Sequence, residues 1–126
     1  MTQTETAVYP KTKLDGYKWE WMSIQDILNG QSGDFECVEC PQCGARNWCD
    51  HGWQRKRDQY TYGTQHYTEY HGYMDWSDFV TDIEWRGIDQ PLSWYSGRLN
   101  NGHHRLLACI ELGYTHVPVH HQTGGF

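Results

Sequence analysis

The chain has 126 residues, which is enough for one domain of ordinary size but not for two. Hydrophobic residues make up 37% and charged residues 21%, and seven Trp with nine Tyr predict a small, aromatic core. A net charge of −6 excludes a basic field over the whole molecule, so any nucleic-acid contact must be local.

The N-terminal stretch predicts an arm without a targeting signal. Residues 1 to 16 are polar and offer almost nothing to bury, which predicts a flexible arm ahead of one domain over residues 17 to 126. The arm has no apolar signal region, and the longest apolar run of the chain is only Leu106 to Ile110. We therefore expect a cytoplasmic protein that does not enter a membrane.

A short strand and a short helix are predicted next. Trp19 and Trp21 alternate with charged residues, and this period of two suits a strand with one buried face. Ser23 and Asp26 have capping-box spacing ahead of an apolar stripe, which predicts a helix. Gly30 is expected to end that helix in the left-handed conformation.

The middle of the chain has a different composition. Residues 31 to 73 show no hydrophobic periodicity and are rich in Cys, Gly, His, Tyr and Gln, which predicts an irregular insertion. A coil of this length inside a compact domain needs a cross-link to be ordered. The expected cross-link lies between residues 37 and 51, where four of the five cysteines are found.

The cysteine-rich segment has the residue types and spacing of a zinc site. Its run CPQCG resembles a zinc knuckle, in which Pro and Gly shape a turn that directs two thiolates toward one metal. Tetrahedral zinc needs four ligands, and the candidates are Cys40, Cys43 and Cys49 with either His51 or Cys37 as the fourth. Such a set leaves no position for water, so the expected role is structural. An iron–sulfur cluster, disulfides or free thiols are the alternatives.

The densest positive charge of the chain follows the cysteines. Arg55, Lys56 and Arg57 are candidates for contact with nucleic-acid phosphates, and nearby aromatic rings would stack on bases. The rings in question are Trp48, Trp53, Tyr60 and Tyr62. The alternative interpretation is a solvated loop without a binding role.

Regular structure is predicted again from Asp75 onward. Asp75 and Asp78 can cap a helix whose apolar residues recur at helical spacing, and Gly87 can end it. The elements expected after it are a strand over Pro91 to Tyr95, a turn at Ser96-Gly97, a bend at Asn100-Asn101-Gly102, a helix from His103 to Leu112 ended by Gly113, and a strand holding Val117 and Val119. Pro118 within the last strand indicates a sheet edge or a strand end.

The start of the last helix is a candidate phosphate-binding turn, formed by Asn101, Gly102, His103, His104 and Arg105. A Gly-rich bend running into a helix presents free amides and the positive end of the helix dipole, which attract anions. Helix starts ordinarily favour acidic residues, so imidazoles and a guanidinium at this place are a functional signal.

A plainer interpretation of the same turn stays open. The two histidines would then be solvent-exposed helix residues, and the guanidinium of Arg105 would pair with Glu111 or Asp89. Cys109, two helical turns further on, is expected to be a small buried hydrophobe and not a nucleophile.

Two runs, DFVTDIEWRGIDQPL and LNNGHHRLLACIELGYTHVPV, resemble the ParB/sulfiredoxin superfamily. The shared features are a helix followed by Gln-Pro, a Gly-x-His-Arg type of turn, a helix ending in Leu-Gly and a Val-Pro-Val strand. The resemblance implies an α/β (α+β) domain with a mixed sheet, in which the turn holds nucleotide phosphates and Mg²⁺ accompanies the nucleotide. His103 stands where sulfiredoxins have their catalytic Cys, so sulfinic-acid repair is not expected.

The function implied by the resemblance is that of a nucleotide- or phosphate-binding ParB-like protein, such as an NTPase or phosphotransfer enzyme in nucleic-acid processing. No catalytic residue is assigned by it, and whether the chain is an enzyme stays open. One alternative is a non-catalytic phage or mobile-element accessory protein that binds a host protein or a nucleic acid through the aromatic insertion. A second alternative, a ParB-like nuclease, rests on the family name alone.

Overall fold

A computed structural model gives the structure of residues 6–32, 40–45, 48–60 and 74–122. The helices and strands in these ranges are, in chain order, β1 (Glu20–Ser23), α1 (Ile24–Asn29), β2 (Gln31–Ser32), α2 (Asp50–Asp58), α3 (Trp76–Arg86), β3 (Leu92–Tyr95), β4 (Arg98–Asn101), α4 (His103–Glu111) and β5 (His116–His121). The strands form one sheet in the order β1-β5-β3-β4-β2. The expectation of a mixed α+β fold is thereby confirmed.

The sheet contains both parallel and antiparallel pairs. β5 pairs antiparallel with β1 and parallel with β3, and β4 pairs antiparallel with β3 and parallel with β2. Pro118 is therefore not on an edge strand, contrary to the prediction. Pro118 pairs with Trp21 of β1, while the ladder with β3 begins one residue later, at Val119 opposite Leu92. The proline consequently interrupts no pairing between β5 and β3.

Part of the N-terminal stretch is attached to the domain. The amide of Val8 donates to the hydroxyl of Thr115 at 2.8 Å, and the amide of Lys13 donates to the carbonyl of Ile88, also at 2.8 Å. Leu14 is buried in the core. The prediction of an arm that buries almost nothing is therefore wrong for residues 8–14, because main-chain pairing with distant residues leaves no local sequence signal.

Helix α1 starts as expected but ends differently. Ser23 caps it by accepting a hydrogen bond from the amide of Asp26 at 3.0 Å. Gly30 has φ −91° and ψ −156°, so it is extended and not left-handed. A Cβ at this position would lie 2.5 Å from Cη2 of Trp94 and 2.6 Å from the carbonyl oxygen of Gly97. Close packing, and not a left-handed backbone, therefore explains why the residue is glycine.

The region predicted to be an irregular insertion contains two regular elements, the short strand β2 and the nine-residue helix α2. Helix α2 is capped by Cys49, whose sulfur accepts a hydrogen bond from the amide of Gly52 at 3.3 Å. Its sequence DHGWQRKRD contains one large apolar residue, Trp53, which explains why periodicity did not reveal it. The parts of the insertion at residues 33–39, 46–47 and 61–73 lie outside the described ranges.

The core lies between the sheet and helices α3 and α4. Its fully buried side chains are mainly aliphatic, with aromatic rings packed around them. Among the most buried members are Ile27, Ile88, Leu92, Leu99, Leu106, Val117 and Val119. The large rings, of which Tyr60 is the most buried, therefore surround an aliphatic centre.

No helix in the described ranges is both long enough and apolar enough to cross a membrane.

Candidate functional site

Four side chains from the insertion meet at one point. Donor atoms of Cys40, Cys43, Cys49 and His51 all lie within 4.8 Å of one another. The first two come from a tight turn closed by hydrogen bonds of 2.8 Å from the amide of Gly44 to the carbonyl of Cys40 and from the amide of Cys40 to the carbonyl of Ala45. Gly44 has φ 77°, a left-handed conformation that favours glycine.

The other two donors come from the start of helix α2, where Cys49 is the N-cap and His51 lies in the first turn. The Nδ1 atom of His51 is buried and has no hydrogen-bond partner in the described part of the chain. Buried polar atoms are nearly always paired, and a metal bond at Nδ1 would satisfy this one. Three thiolates and one imidazole suit tetrahedral zinc, so the cluster could bind a metal such as zinc. The fourth donor of this cluster is His51, whereas Cys37 lies outside the described residues.

Electrostatics at this cluster also favours a cation. Burial, the largest influence, disfavours the thiolate of Cys40, but hydrogen bonds from two backbone amides and from Arg55 together lower its pKa to about 6. A backbone hydrogen bond involving Ala45 lowers the pKa of Cys43, yet the adjacent Cys40 sulfur, burial and Cys49 outweigh it and raise that pKa. A second negative charge is thus disfavoured beside the first, and a bound cation would remove this penalty.

Both arginines of the basic run have partners within the protein. Nη1 of Arg55 lies 3.4 Å from Oε1 of Gln42 and 3.7 Å from the sulfur of Cys40. Nε of Arg57 lies 3.4 Å from Oε1 of Glu111 on α4. The expected set of Arg55, Lys56 and Arg57 therefore lies on a helix and not in a loop, and both arginines have protein partners.

The neighbouring aromatic residues are also packed inward. Trp53 and Tyr60 are buried, and the rings of Trp48 and Trp53 stack with centroids 5.3 Å apart. Nε1 of Trp48 donates to the carbonyl of Gly30 at 3.0 Å. These three rings are thus unavailable for stacking on bases, and Tyr62 lies outside the described residues. The predicted nucleic-acid surface is not supported by the described residues.

A cleft of about 840 Å³ lies at the start of helix α4. Four of the five residues predicted to form the phosphate-binding turn line it, namely Asn101, Gly102, His104 and Arg105. The remaining lining residues come from the N-terminal stretch, the segment after α2, the residues before α3, helix α3 itself and the loop after it: Lys13, Tyr60, Met74, Phe79, Asp82, Ile83, Arg86, Gly87, Asp89 and Gln90. The sequence did not identify Lys13 and Arg86 as residues of this site, because tertiary folding alone brings them to the turn.

The backbone of the turn suits an anion. Gly102 is left-handed with φ 103°, and it caps α4 without a side-chain hydrogen bond to the first-turn amides. No acidic residue lies in that first turn. A Cβ at Gly102 would lie 2.5 Å from Cγ of Leu92, so only glycine fits between β3 and the helix start. The positive end of the α4 dipole is therefore not neutralised by a capping carboxylate.

Two side chains of the turn face the cleft and are held by neighbours. Nε2 of His104 lies 2.7 Å from Oε1 of Gln59, and Nη1 of Arg105 donates to the carbonyl of Gln90 at 2.6 Å. Burial, the largest influence, lowers the pKa of Arg105, while the carboxylate of Asp89 opposes that shift. Arg105 nevertheless stays a cation, because guanidinium does not lose its proton in proteins. Of the two proposed carboxylate partners, Asp89 influences Arg105, whereas Glu111 binds Arg57 and the indole of Trp76.

His103 is the exception among the predicted phosphate ligands. Its side chain is buried, and Nε2 lies 2.7 Å from the hydroxyl oxygen of Ser32. Its ring also lies 5.8 Å from that of Trp48. The side chain of His103 therefore does not line the cleft, because the first helical position directs it toward β2.

Cys109 is fully buried, and burial raises its pKa to about 12 although the nearby Arg105 favours the thiolate. This environment confirms that Cys109 is a small buried hydrophobe without a reactive thiolate.

Comparison with protein-family models, with curated proteins and with solved structures finds no match to this chain. The fold and the two sites define the chain as an α+β domain with a five-stranded mixed sheet and a Cys/His cluster that could hold a metal.

Proposed function

We propose that this chain is a ParB/sulfiredoxin-like protein that binds a nucleotide or another phosphate-bearing ligand at the start of α4. One observation carries the proposal: Gly102, His104 and Arg105 line a single cleft together with the cations Lys13 and Arg86. The amides of a helix start, an imidazole and cationic side chains are groups that bind phosphate in proteins. A small molecule is the ligand class that fits, because the cleft has the volume of an ordinary ligand pocket.

The charges of the cleft favour a phosphate chain over a single carboxylate. Lys13, Arg86 and Arg105 face two carboxylates, Asp82 and Asp89, in the same lining. Arg86 and Asp82 lie 3.4 Å apart in an exposed pair, which solvent weakens. A triphosphate would compete with Asp82 for Arg86 and with Asp89 for Arg105. The two carboxylates could then help to hold a cation carried by the ligand.

Mg²⁺ belongs to the proposal only as a companion of the nucleotide. In the described ranges, no three metal-binding side chains come together at the cleft. Mg²⁺ keeps several waters and commonly binds through phosphates with one or two carboxylates. Asp82 and Asp89 are the carboxylates available for that purpose, and they are the first residues to test for NTPase or phosphotransfer chemistry.

The lining of the cleft also contains apolar residues beside the phosphate-binding turn. Tyr60, Phe79 and Ile83 line the same space as the turn. They are at most 5% exposed, so they belong to the core and offer little open surface to a planar base. The alternative of partner binding through the insertion is less well supported, since Trp48, Trp53 and Tyr60 pack inward.

Calorimetry with a panel of nucleoside triphosphates and Mg²⁺ tests the proposal. Wild-type protein should bind at least one of them, and His104→Ala and Arg105→Lys should each weaken binding by about tenfold or more, as expected for loss of a charge-assisted hydrogen bond. Arg98→Ala is the matched control, since Arg98 lies on β4 but outside the cleft lining. An absence of binding to the wild type, or equal binding by all variants, would remove the proposal.

A further inference from the structure

Helix α2 joins the Cys/His cluster to the cleft. The helix begins at Cys49 and His51, two of the four clustered donors, and ends at Asp58. Nine residues at the usual helical rise span roughly 14 Å, so a metal at the cluster would not touch a ligand in the cleft. Helix α2 is a direct covalent connection between the cluster and the residues beside the cleft.

The two residues that follow α2 lie beside the cleft, and one of them, Tyr60, lines it. Oε1 of Gln59, the residue directly after the helix, lies 2.7 Å from Nε2 of His104. The ring of Tyr60 is 1% exposed and lies 4.6 Å from that of Phe79 and 5.0 Å from the imidazole of His104. Both residues that follow α2 thus contact the imidazole of His104.

Helix α2 has little intrinsic reason to form. It is nine residues long and mostly polar, and isolated helices of that length are marginal in water. Its contacts with the rest of the protein include the buried Trp53, which stacks on Trp48, the exposed pair of Arg57 with Glu111 and the contact of Arg55 with Gln42. A metal bound at the first turn would fix the helix start in the same way that structural zinc orders small domains.

We infer that metal occupancy of the Cys40, Cys43, Cys49 and His51 cluster positions Gln59 and Tyr60, and that these two residues in turn position His104 for ligand binding. The part of the inference that concerns ligand binding rests on the function proposed above. The part that concerns the His104 side chain does not. In both parts, Gln59 and Tyr60 are positioning residues, and the metal acts at a distance.

The test compares zinc-loaded protein, protein treated with chelator and protein reloaded with zinc. The ring signals of His104 in NMR spectra should move when zinc is removed and return when zinc is restored. The affinity for inorganic triphosphate, used as the probe, should fall by tenfold or more and recover in the same cycle. Unchanged His104 signals, or an unchanged affinity in a protein that binds the probe, would overturn the inference.

A pair of variants separates positioning from loss of the fold. Gln59→Ala should keep one zinc and an intact sheet, yet shift the His104 signals and weaken triphosphate binding. Gln54→Ala is the control, because it changes the same residue type on α2, where the Gln54 side chain donates to the exposed Asp58. It should neither shift the His104 signals nor weaken triphosphate binding. If Gln59→Ala behaves like Gln54→Ala, the inference is wrong. If zinc-loaded wild type binds no triphosphate or nucleotide, the proposed function fails, and the His104 signals alone decide the inference.

Discussion

The imidazole of His103 lies 2.7 Å from the hydroxyl of Ser32, and both side chains are almost completely buried. This pair joins the start of α4 to the short strand β2, at the edge of the sheet. His104, the next residue, faces the cleft and contacts Gln59. Two adjacent histidines thus have separate tasks, one within the packed interior and one at the proposed ligand site.

The first prediction separates those tasks. His103→Ala should lower the free energy of unfolding by about 1–3 kcal/mol, because it removes a hydrogen bond between buried groups. Ser32→Ala should cost a similar amount, and the double variant should cost less than the sum, since both lose the same bond. Urea unfolding measures all three. A His103→Ala variant as stable as the wild type but unable to bind triphosphate would contradict this assignment.

The second prediction concerns the glycine at the turn. Gly102→Ala places a Cβ 2.5 Å from Cγ of Leu92 and also imposes a left-handed φ of 103° on alanine, so it should destabilise the protein by roughly 2–5 kcal/mol. Gly97→Ala is the control, since its φ is 79° but nothing lies within 4 Å of the added Cβ. The control should cost only about 1 kcal/mol from the backbone conformation. Equal losses in thermal or urea unfolding would show that close packing at Gly102 does not matter.

The third prediction identifies the fourth metal ligand. We expect one zinc per chain in the wild type and a clear loss of zinc in His51→Ala, because His51 is the fourth donor of the cluster. Cys37→Ser should keep its zinc, since four donors are already assembled without that residue. Metal analysis after dialysis measures both. Loss of zinc in Cys37→Ser but not in His51→Ala would identify Cys37 as the fourth ligand. A wild type without bound metal would exclude the zinc site.

The fourth prediction follows from the buried thiol. Burial raises the pKa of Cys109 from 9.0 to about 12, so the folded state holds this proton more tightly than the unfolded chain does. The resulting stability is fully present below pH 9 and is lost between pH 9 and pH 12, at up to about 1.4 kcal/mol per pH unit. Cys109→Ala should therefore show a smaller fall in stability between pH 9 and 10.5. Parallel pH profiles for variant and wild type would show that the Cys109 thiol does not cause the loss of stability.

The elements that the sequence predicted well are those whose signals are local. Asp75 accepts a hydrogen bond from the amide of Asp78 at 2.8 Å, and the apolar stripe of α3 faces the core as its spacing indicated. Metal-ligand spacing is local in the same sense, because the turn between Cys40 and Cys43 brings its own donors together.

The elements that it missed depend on distant partners. Strand β4 has one buried residue, Leu99, and exists because β3 and β2 pair with its two sides. The cleft needs Lys13 beside the start of α4, and main-chain pairing of that segment with Ile88 is what brings it there. The prediction that Pro118 marks a sheet edge was wrong because the effect of a proline depends on where pairing with the neighbouring strand begins. That point is set by sheet register and not by composition.

The most direct test of the central claim is an NMR titration of zinc-loaded, ¹⁵N-labelled protein with ATP and Mg²⁺. The amides of Gly102, His104 and Arg105 should shift together and saturate, and Lys13 should shift with them, since all four line one cleft. Signals of the exposed face around Arg98 should stay in place. If the shifts are absent at millimolar ATP, or are confined to the basic residues of α2, the start of α4 is not a phosphate-binding site.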